Sequence, residues 1–516
     1  MYSLSELERP TRPTPIVDVG VPLLVTAFFA FTSSYDVSIE QAVCAFLLCW
    51  MPWAAYRNWL RSDRDKIPLF ALLAALFWLA YSVPLFWAKH VVTGVFGSRV
   101  LTEDAITESL DLAILGVVCL WLGMRAAAYF HWLPNVRKDV SNSPNRLNYL
   151  RAIFVFGTLV KVFVPITAFG PGARQIVSSF ENIVTVVGFA IFFRYYLRGR
   201  ILQFDKLLIY VYVMVSVVVG IASGWLGSIV GIGLVCTVVY VYERRKFPVM
   251  AAFIVLPVIL FFQPAKSVFR DRYWRGESSD TPTERATFWL KNSWRLWNQA
   301  LMNQDGEQFR ELSDATLSRL SLLQQTAHVM ELTPSSVPYQ HGSLYSYIAV
   351  TFVPRFLWPD KPSVNDANHW YQVTYGLTDP NQLSTVSIAV GTVAESYINF
   401  GWFGPVLIIF PLGIFLGSFE RIFLHADSSL LFSCVGAVLV PQLLAIEAQM
   451  AEYVAGLAQQ IILVLLVLVP TLEAQAQKKR FRRSVPASIS PELQILTSHA
   501  SGIIKKSFER RESLGK

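Results

Sequence analysis

Between positions 263 and 401 the chain collects the side chains best able to do chemistry. Arg270 and Arg275 stand in KSVFRDRYWRG, Arg319 and His328 share SRLSLLQQTAHVMEL, and Arg355 and Lys361 fall in YIAVTFVPRFLWPDKP. Glu395 lies in VAESYINFGWFG among mostly apolar neighbours. Guanidinium groups grip phosphate oxygens in a two-pronged fork, so arginines gathered beside a membrane suit a pyrophosphate group, with Lys361 in support. The same residues equally suit a solvated rim, because long loops escape the charge rule that governs short ones and acids slightly outnumber bases here. His328 is a candidate general base or hydrogen-bond donor, or else a polar residue on a helix face. A carboxylate at the depth implied for Glu395 is costly and points to function, unless it pairs with an arginine. The spacing of His328, His341 and His369 fits no zinc motif, so no metal and no cofactor is expected.

Aromatic residues are dense in the same region, Tyr339 and Trp358 among them. They suit the aromatic belt of a membrane interface or stacking against sugar rings. Pro354 and Pro359 would end or kink the short apolar run before Arg355. That run is too short to cross a bilayer, which needs about 20 apolar residues. It reads as a segment half-sunk at the interface or re-entering the membrane.

The elements that must position these groups are set by composition. The chain has 516 residues, 16% of them charged, and a mean hydropathy of +0.43. Repeated apolar runs without two-residue alternation exclude a disordered chain and a β-barrel, and imply an all-α, polytopic integral membrane protein. Runs near 17–34, 38–56, 67–88, 110–130, 150–170, 178–197, 206–222, 225–242, 247–263, 402–420, 428–446 and 453–472 give about twelve spans. The division is a membrane bundle over 1–263, a large external loop of short helices over 264–401, a second bundle over 402–472 and a basic tail over 473–516. The five cysteines all fall in apolar runs, and none forms a C-x-x-C pair, which implies packing rather than disulfides or zinc. The N-terminal stretch, with its acids and prolines, does not read as a cleavable signal.

Basic connections at 57–66, 131–146, 194–200 and 243–246 fall on alternate loops, with 478–483 after the last run. The positive-inside rule makes these cytoplasmic, both termini included, and puts 264–401 outside. The expected content there is an amphipathic helix over 283–302, a second over 309–332 and a short one before the next span, together forming a lid on the membrane surface. Small-xxx-small spacing at Gly220/Gly224 and Gly227/Gly231 implies close helix packing. Asp63 and Asp65 mimic a D-x-D motif in a loop too short to hold a nucleotide-sugar fold. No nucleotide-binding motif and nothing suited to nucleic acid is present.

The strings SRLSLLQQTAHVMELTPSSVPYQHGSLYSYIAVTFVPRFLWPDKP and VAESYINFGWFGP, with many spans and a large late loop, resemble the O-antigen polymerase family, the Wzy-type oligosaccharide repeat unit polymerases. The resemblance implies an enzyme of the bacterial inner membrane that joins undecaprenyl-diphosphate-linked oligosaccharides, donor and acceptor both lipid-linked, with a chain-length regulator and a flippase as expected partners. It implies catalytic roles for His328, Glu395 and Arg355, and substrate contacts from Arg270, Arg275, Arg319, Tyr339, Trp358 and Lys361. An O-antigen-ligase-like enzyme would share the donor and differ in acceptor. A polysaccharide or lipid-glycan transporter would instead use intramembrane charges, for which Lys161 and Glu181 are the candidates.

Overall fold

The computed structural model describes residues 15–33, 36–87, 95–96, 99–130, 138–140, 144–164, 177–248, 257–273, 280–302, 321–353, 358, 360–383, 388–425, 428–468 and 472–474. Contacts group Met1–Ala474 as one unit, and the tail after it lies outside the described residues. Almost everything described is helical. The helices are α1 (Pro15–Thr32), α2 (Ile39–Arg61), α3 (Leu69–Phe77), α4 (Val83–Trp87), α5 (Glu103–Ala126), α6 (Pro144–Phe163), α7 (Thr185–Leu197), α8 (Gln203–Ser223) and α9 (Gly227–Arg244). They continue as α10 (Lys266–Tyr273), α11 (Pro282–Met302), α12 (Leu323–Leu332), α13 (Ser346–Thr351), α14 (Asp366–Thr374), α15 (Thr392–Phe400), α16 (Phe410–Phe423), α17 (Leu430–Leu443) and α18 (Met450–Leu468). The strands among the described residues are two short antiparallel ribbons, Val95–Phe96 with Arg99–Val100 and Lys138–Val140 with Leu472–Ala474.

Local sequence sets the helix ends. Ser38 and Gln41 form a reciprocal capping box at the start of α2. Thr102 caps α5, whose first turn carries Glu103 and Asp104 and whose last turn carries Arg125, matching the helix dipole. Gly224 ends α8 with φ +73°, and the Phe269 ring occupies the place of a β-carbon there. That left-handed glycine makes ASGW a turn between two separate helices.

Among the described residues, seven helical stretches are long and apolar enough to cross a membrane: Leu69–Phe86, Glu103–Tyr129, Val177–Leu197, Gln203–Ser223, Gly227–Arg244, Pro405–Phe423 and Met450–Leu468. Ile16–Thr32 and Leu430–Leu443 are apolar but shorter. Helices α2 and α6 are long as well, with Arg57 and Arg61 in one and Arg146, Arg151 and Lys161 in the other. Lys161 pairs with Glu181 at 3.1 Å, and both side chains are buried. The chain is thus a helical protein with the elements of a membrane protein.

Helix α5 is the hub, packing on α2, α12, α15 and most closely on α16. At that crossing backbone meets backbone. A β-carbon on Gly413 would stand 2.5 Å from the Leu120 carbonyl oxygen, and one on Gly417 would stand 2.7 Å from the Met124 oxygen. On α5, a β-carbon on Gly123 would strike the Phe410 oxygen. Glycine is required here for close approach, the small-residue logic of helix pairs in lipid. The glycines expected to pack are less uniform. Gly220 meets Ile229 across its own hairpin, whereas Gly231 has nothing within 4 Å.

Three of the basic connections, 57–66, 194–200 and 243–246, are drawn together at one end. Arg64 and Arg245 each donate to the other's backbone oxygen, and Lys66 pairs with Glu420 at 2.7 Å. His425 meets Asp65, Arg194 and Arg198 share Glu243, and Arg421 donates to the Ala127 oxygen. Other connections meet elsewhere. Thr102 N–H donates to Glu331, and the Gly391 and Thr392 N–H groups donate to the Glu447 and Ile446 oxygens.

The region expected to form a surface lid divides. Helix α11 does lie at the edge, on a satellite core of Leu226, Phe262, Ala265, Phe269 and Trp289. Helices α12 and α15 instead enter the main core. Leu322 N–H donates to the Ala80 oxygen, and Thr326 meets Tyr81 at 3.1 Å, so α12 sits against the π-helical turn Trp78–Ser82. Several of their polar residues are satisfied by such specific bonds, which lets half-polar sequences be buried.

Replacing Gly413 by alanine is expected to lower the unfolding midpoint in detergent, with a loss of about 1–3 kcal/mol from overpacking. Gly231→Ala has open space and gains helix propensity, so it is expected to be neutral or stabilising by up to about 1 kcal/mol. Equal effects at the two sites would contradict the crossing.

Candidate functional site

Glu395 is the centre of the site. It lies on α15 and is fully buried. The backbone bonds from Gly391 and Thr392 to the 446–447 turn bring the start of α15 against the start of α18. Gly391 adopts φ +80° to make that entry. The carboxyl Oε2 of Glu395 then accepts a 2.7 Å bond from the Met450 N–H, an unfilled donor at the helix N-terminus. Burial pushes the carboxyl up to about 8 from an ordinary 4.5, against the lowering effect of the Met450 bond, and the Glu452 charge adds to the rise. Its other oxygen, Oε1, has no partner among the described residues, and Glu395 makes no ion pair there. Gln449, next to Met450 and also buried, has both amide atoms unpaired among the described residues. Buried polar atoms are usually paired, and these two residues meet at the start of α18, which makes this the candidate site.

An apolar groove adjoins these groups. It has a volume of about 460 Å³ and runs between α13, α16 and α18, with Tyr345 and Met450 at the polar end and Leu412, Phe415, Leu457 and Ile461 further along. Leu407 and Phe415 are partly exposed at its open side. The Tyr345 ring stacks on Phe400, with 6.2 Å between centroids. Burial, and then the Glu395 charge, hold the Tyr345 hydroxyl well above the usual phenol range. A hydrophobic channel ending in a few polar groups is the ordinary form of a small-molecule site.

The expected site residues are placed as follows. His328 is fully buried on α12 and donates from Nε2 to the Tyr375 backbone oxygen at 2.9 Å. Tyr375 in turn shares a 2.5 Å bond with Thr333, whose backbone oxygen accepts from the Tyr397 hydroxyl. Tyr339 packs edge-on against Tyr397, and a β-carbon on Gly401 would lie 3.0 Å from the Tyr339 hydroxyl. One network therefore links His328, Tyr339 and the helix that carries Glu395. Asn399, one turn after Glu395, holds the neighbouring loop by accepting from the Gly342 N–H at 3.0 Å. Lys361 donates to the Val350 and Val353 oxygens and so closes the end of α13, beside the groove. Trp358 is exposed. Arg270 belongs to α10 in the satellite region, apart from Glu395. Arg275, Arg319 and Arg355 lie outside the described residues.

Asn399 and Gln449 were not anticipated. Asn399 carried a signal, since it sits four residues from Glu395 and shares its face. Gln449 and the groove carried none, because groove residues and lipid-facing residues have the same composition. Among the described residues no group of three or more His, Cys, Asp or Glu side chains is gathered for a metal.

Such an arrangement can hold an apolar chain with a carboxyl that exchanges its proton near neutral pH one hydrogen bond behind the groove wall. The folded protein keeps the Glu395 proton up to about 8, whereas the unfolded chain releases it near 4.5. Stability is therefore full below the lower value and falls as pH rises through the higher one. The unfolding midpoint of the wild-type protein is expected to drop between pH 5 and pH 9 by more than that of Glu395→Gln. Parallel pH profiles would show that the carboxyl is ionised throughout.

No curated protein and no solved structure matches the chain. Residues 89–429, more than half of it and including α5, α15 and the α5–α16 crossing, match a family described as a domain of unknown function, and the chain belongs to that family, DUF8712.

Proposed function

We propose that this protein is a membrane glycosyltransferase that polymerises lipid-linked oligosaccharides, using a polyprenyl-diphosphate-linked glycan as donor. The observation that carries the reading is the buried, proton-retaining Glu395, hydrogen-bonded to Met450, which lines one end of an apolar groove. A lipid tail in the groove would bring its polar head to the Met450 end, one residue from Gln449 and one hydrogen bond from the Glu395 carboxyl. The reaction is a displacement at the anomeric carbon. The acceptor hydroxyl forms the new C–O bond, its proton passes to Glu395, and the bond to the diphosphate breaks as the lipid diphosphate leaves. A base that titrates near 8 is ~10% ionised at pH 7 and suited to that proton. His328, whose Nε2 is engaged with Tyr375, is read as holding the Tyr375 loop. Cations must stabilise the leaving group, and Arg355, with Arg319 and Arg275, takes that part in this reading.

The same reading places the protein in a bacterial inner membrane with about twelve spans, both termini cytoplasmic and the 264–401 segment on the outer side. The alternation of basic connections, and the assembly of three of them at one end of the bundle, support that orientation. A transporter is disfavoured because Lys161 and Glu181, the charges that suggested one, neutralise each other. A ligase would use the same groove and differ only in acceptor.

Purified protein given a polyprenyl-diphosphate oligosaccharide should release lipid diphosphate and extend the lipid-linked glycan. Glu395→Gln is expected to slow this at least ~100-fold, and the wild-type rate should rise with pH through about 8. Transfer only to a different acceptor would indicate the ligase, and an unchanged rate in Glu395→Gln would remove the proposed base.

A further inference from the structure

Helix α11 has two apolar faces, and the described residues cover only one. Trp289, Ser293 and Ala300 are buried against α8 and the satellite core, and the Trp289 and Trp297 indoles donate to the Phe262 and Phe261 oxygens. Beside this covered face runs a stripe at 290, 294, 297 and 301, the spacing of one side of a helix. Within it Leu290 is 51%, Trp294 68% and Leu301 74% exposed. Lys291 and Arg295 stand exposed on the next face round. The helix is therefore apolar over a wide arc, half of it uncovered, and basic at the border.

Its position says what covers that arc. The satellite core includes Leu226, with Ile221 and Ile229 packed against it, at the turn where α8 and α9 both end. Both helices are of membrane-crossing length, so this turn stands at a membrane surface. Trp225 of the turn is exposed, and the Lys266 ammonium lies 5.1 Å from its ring. Tryptophan and basic side chains at one level are the pattern of a headgroup layer. We propose that α11 lies in the membrane interface, with Leu290, Trp294 and Leu301 set among the lipid chains and with Lys291 and Arg295 binding the phosphates of anionic phospholipids. This surface is independent of the reaction proposed above.

The test uses the full chain in nanodiscs, with an environment-sensitive label on Trp294→Cys and, as a control on the polar side, on Gln299→Cys. A spin label near the headgroup end of the lipid is expected to quench position 294 several-fold more than position 299, and aqueous iodide should show the reverse order. Lys291→Gln with Arg295→Gln should reduce the preference for phosphatidylglycerol over phosphatidylcholine by about tenfold, read from lipid retained on the purified protein. Iodide access at 294 equal to that at 299 would overturn the proposal. So would protection from both quenchers, which would mean that a second protein surface covers the stripe. An unchanged lipid preference in the double variant would overturn the headgroup contact.

Discussion

Helices α5 and α16 cross with backbone against backbone at Gly123, Gly413 and Gly417, and the positions of the other groups follow from that contact. Gly123, Gly413 and Gly417 let the two backbones meet, where lipid gives little hydrophobic drive and close packing must hold the pair. The chain enters α16 through a π-helical turn, Pro405–Ile409, directly after α15. At that entry a β-carbon on Gly404 would strike the Ser396 oxygen, so α15 is fixed against the start of the crossing. Val393 of the same helix lies against Gly116 of α5. A helix of nine residues is thereby held on two sides, by its backbone at Ser396 and by the Val393 side chain.

This rigidity explains why a carboxyl can stay buried with no ion pair among the described residues. Glu395 cannot move outward to find water, because its helix is fixed at both ends. Its first turn is bonded to the 446–447 backbone, and its last turn is bonded to the loop at 340–342. What it receives is one N–H at the start of α18. That single bond is too little to offset desolvation, so the group holds its proton near neutral pH instead of ionising. The groove follows from the same geometry, since α16 and α18 form its long walls and α13 closes the polar end.

The helices were legible where physics is local. Apolar runs place the segments; the caps at Ser38 and Thr102 fix two of the starts, and Gly224, whose spacing reads as packing, instead makes the turn of a tight hairpin. Glu395 was legible too, because a lone acid among apolar residues is costly anywhere in a membrane protein. What could not be read was which faces meet. GIFLG at 413–417 has the same spacing as the glycines at 227 and 231, yet only the first makes a crossing. The burial of α12 depends on bonds such as Thr326 with Tyr81 and His328 with the Tyr375 oxygen, partners many residues away in sequence. A helix that is half polar by composition reads as a surface helix unless those partners are known. The arginines expected to bind diphosphate remain sequence-based, apart from Arg270, which sits in the satellite region.

The central claim is that the groove beside Glu395 takes the lipid tail of the substrate. The direct measurement is photocrosslinking in native membranes with a polyprenyl diphosphate that carries a diazirine on its chain, followed by peptide mapping. Adducts are expected on α16 around 412–415 and on α18 around 453–461, displaced by unlabelled lipid diphosphate. Competable adducts confined to other helices, with the groove unlabelled, would contradict it.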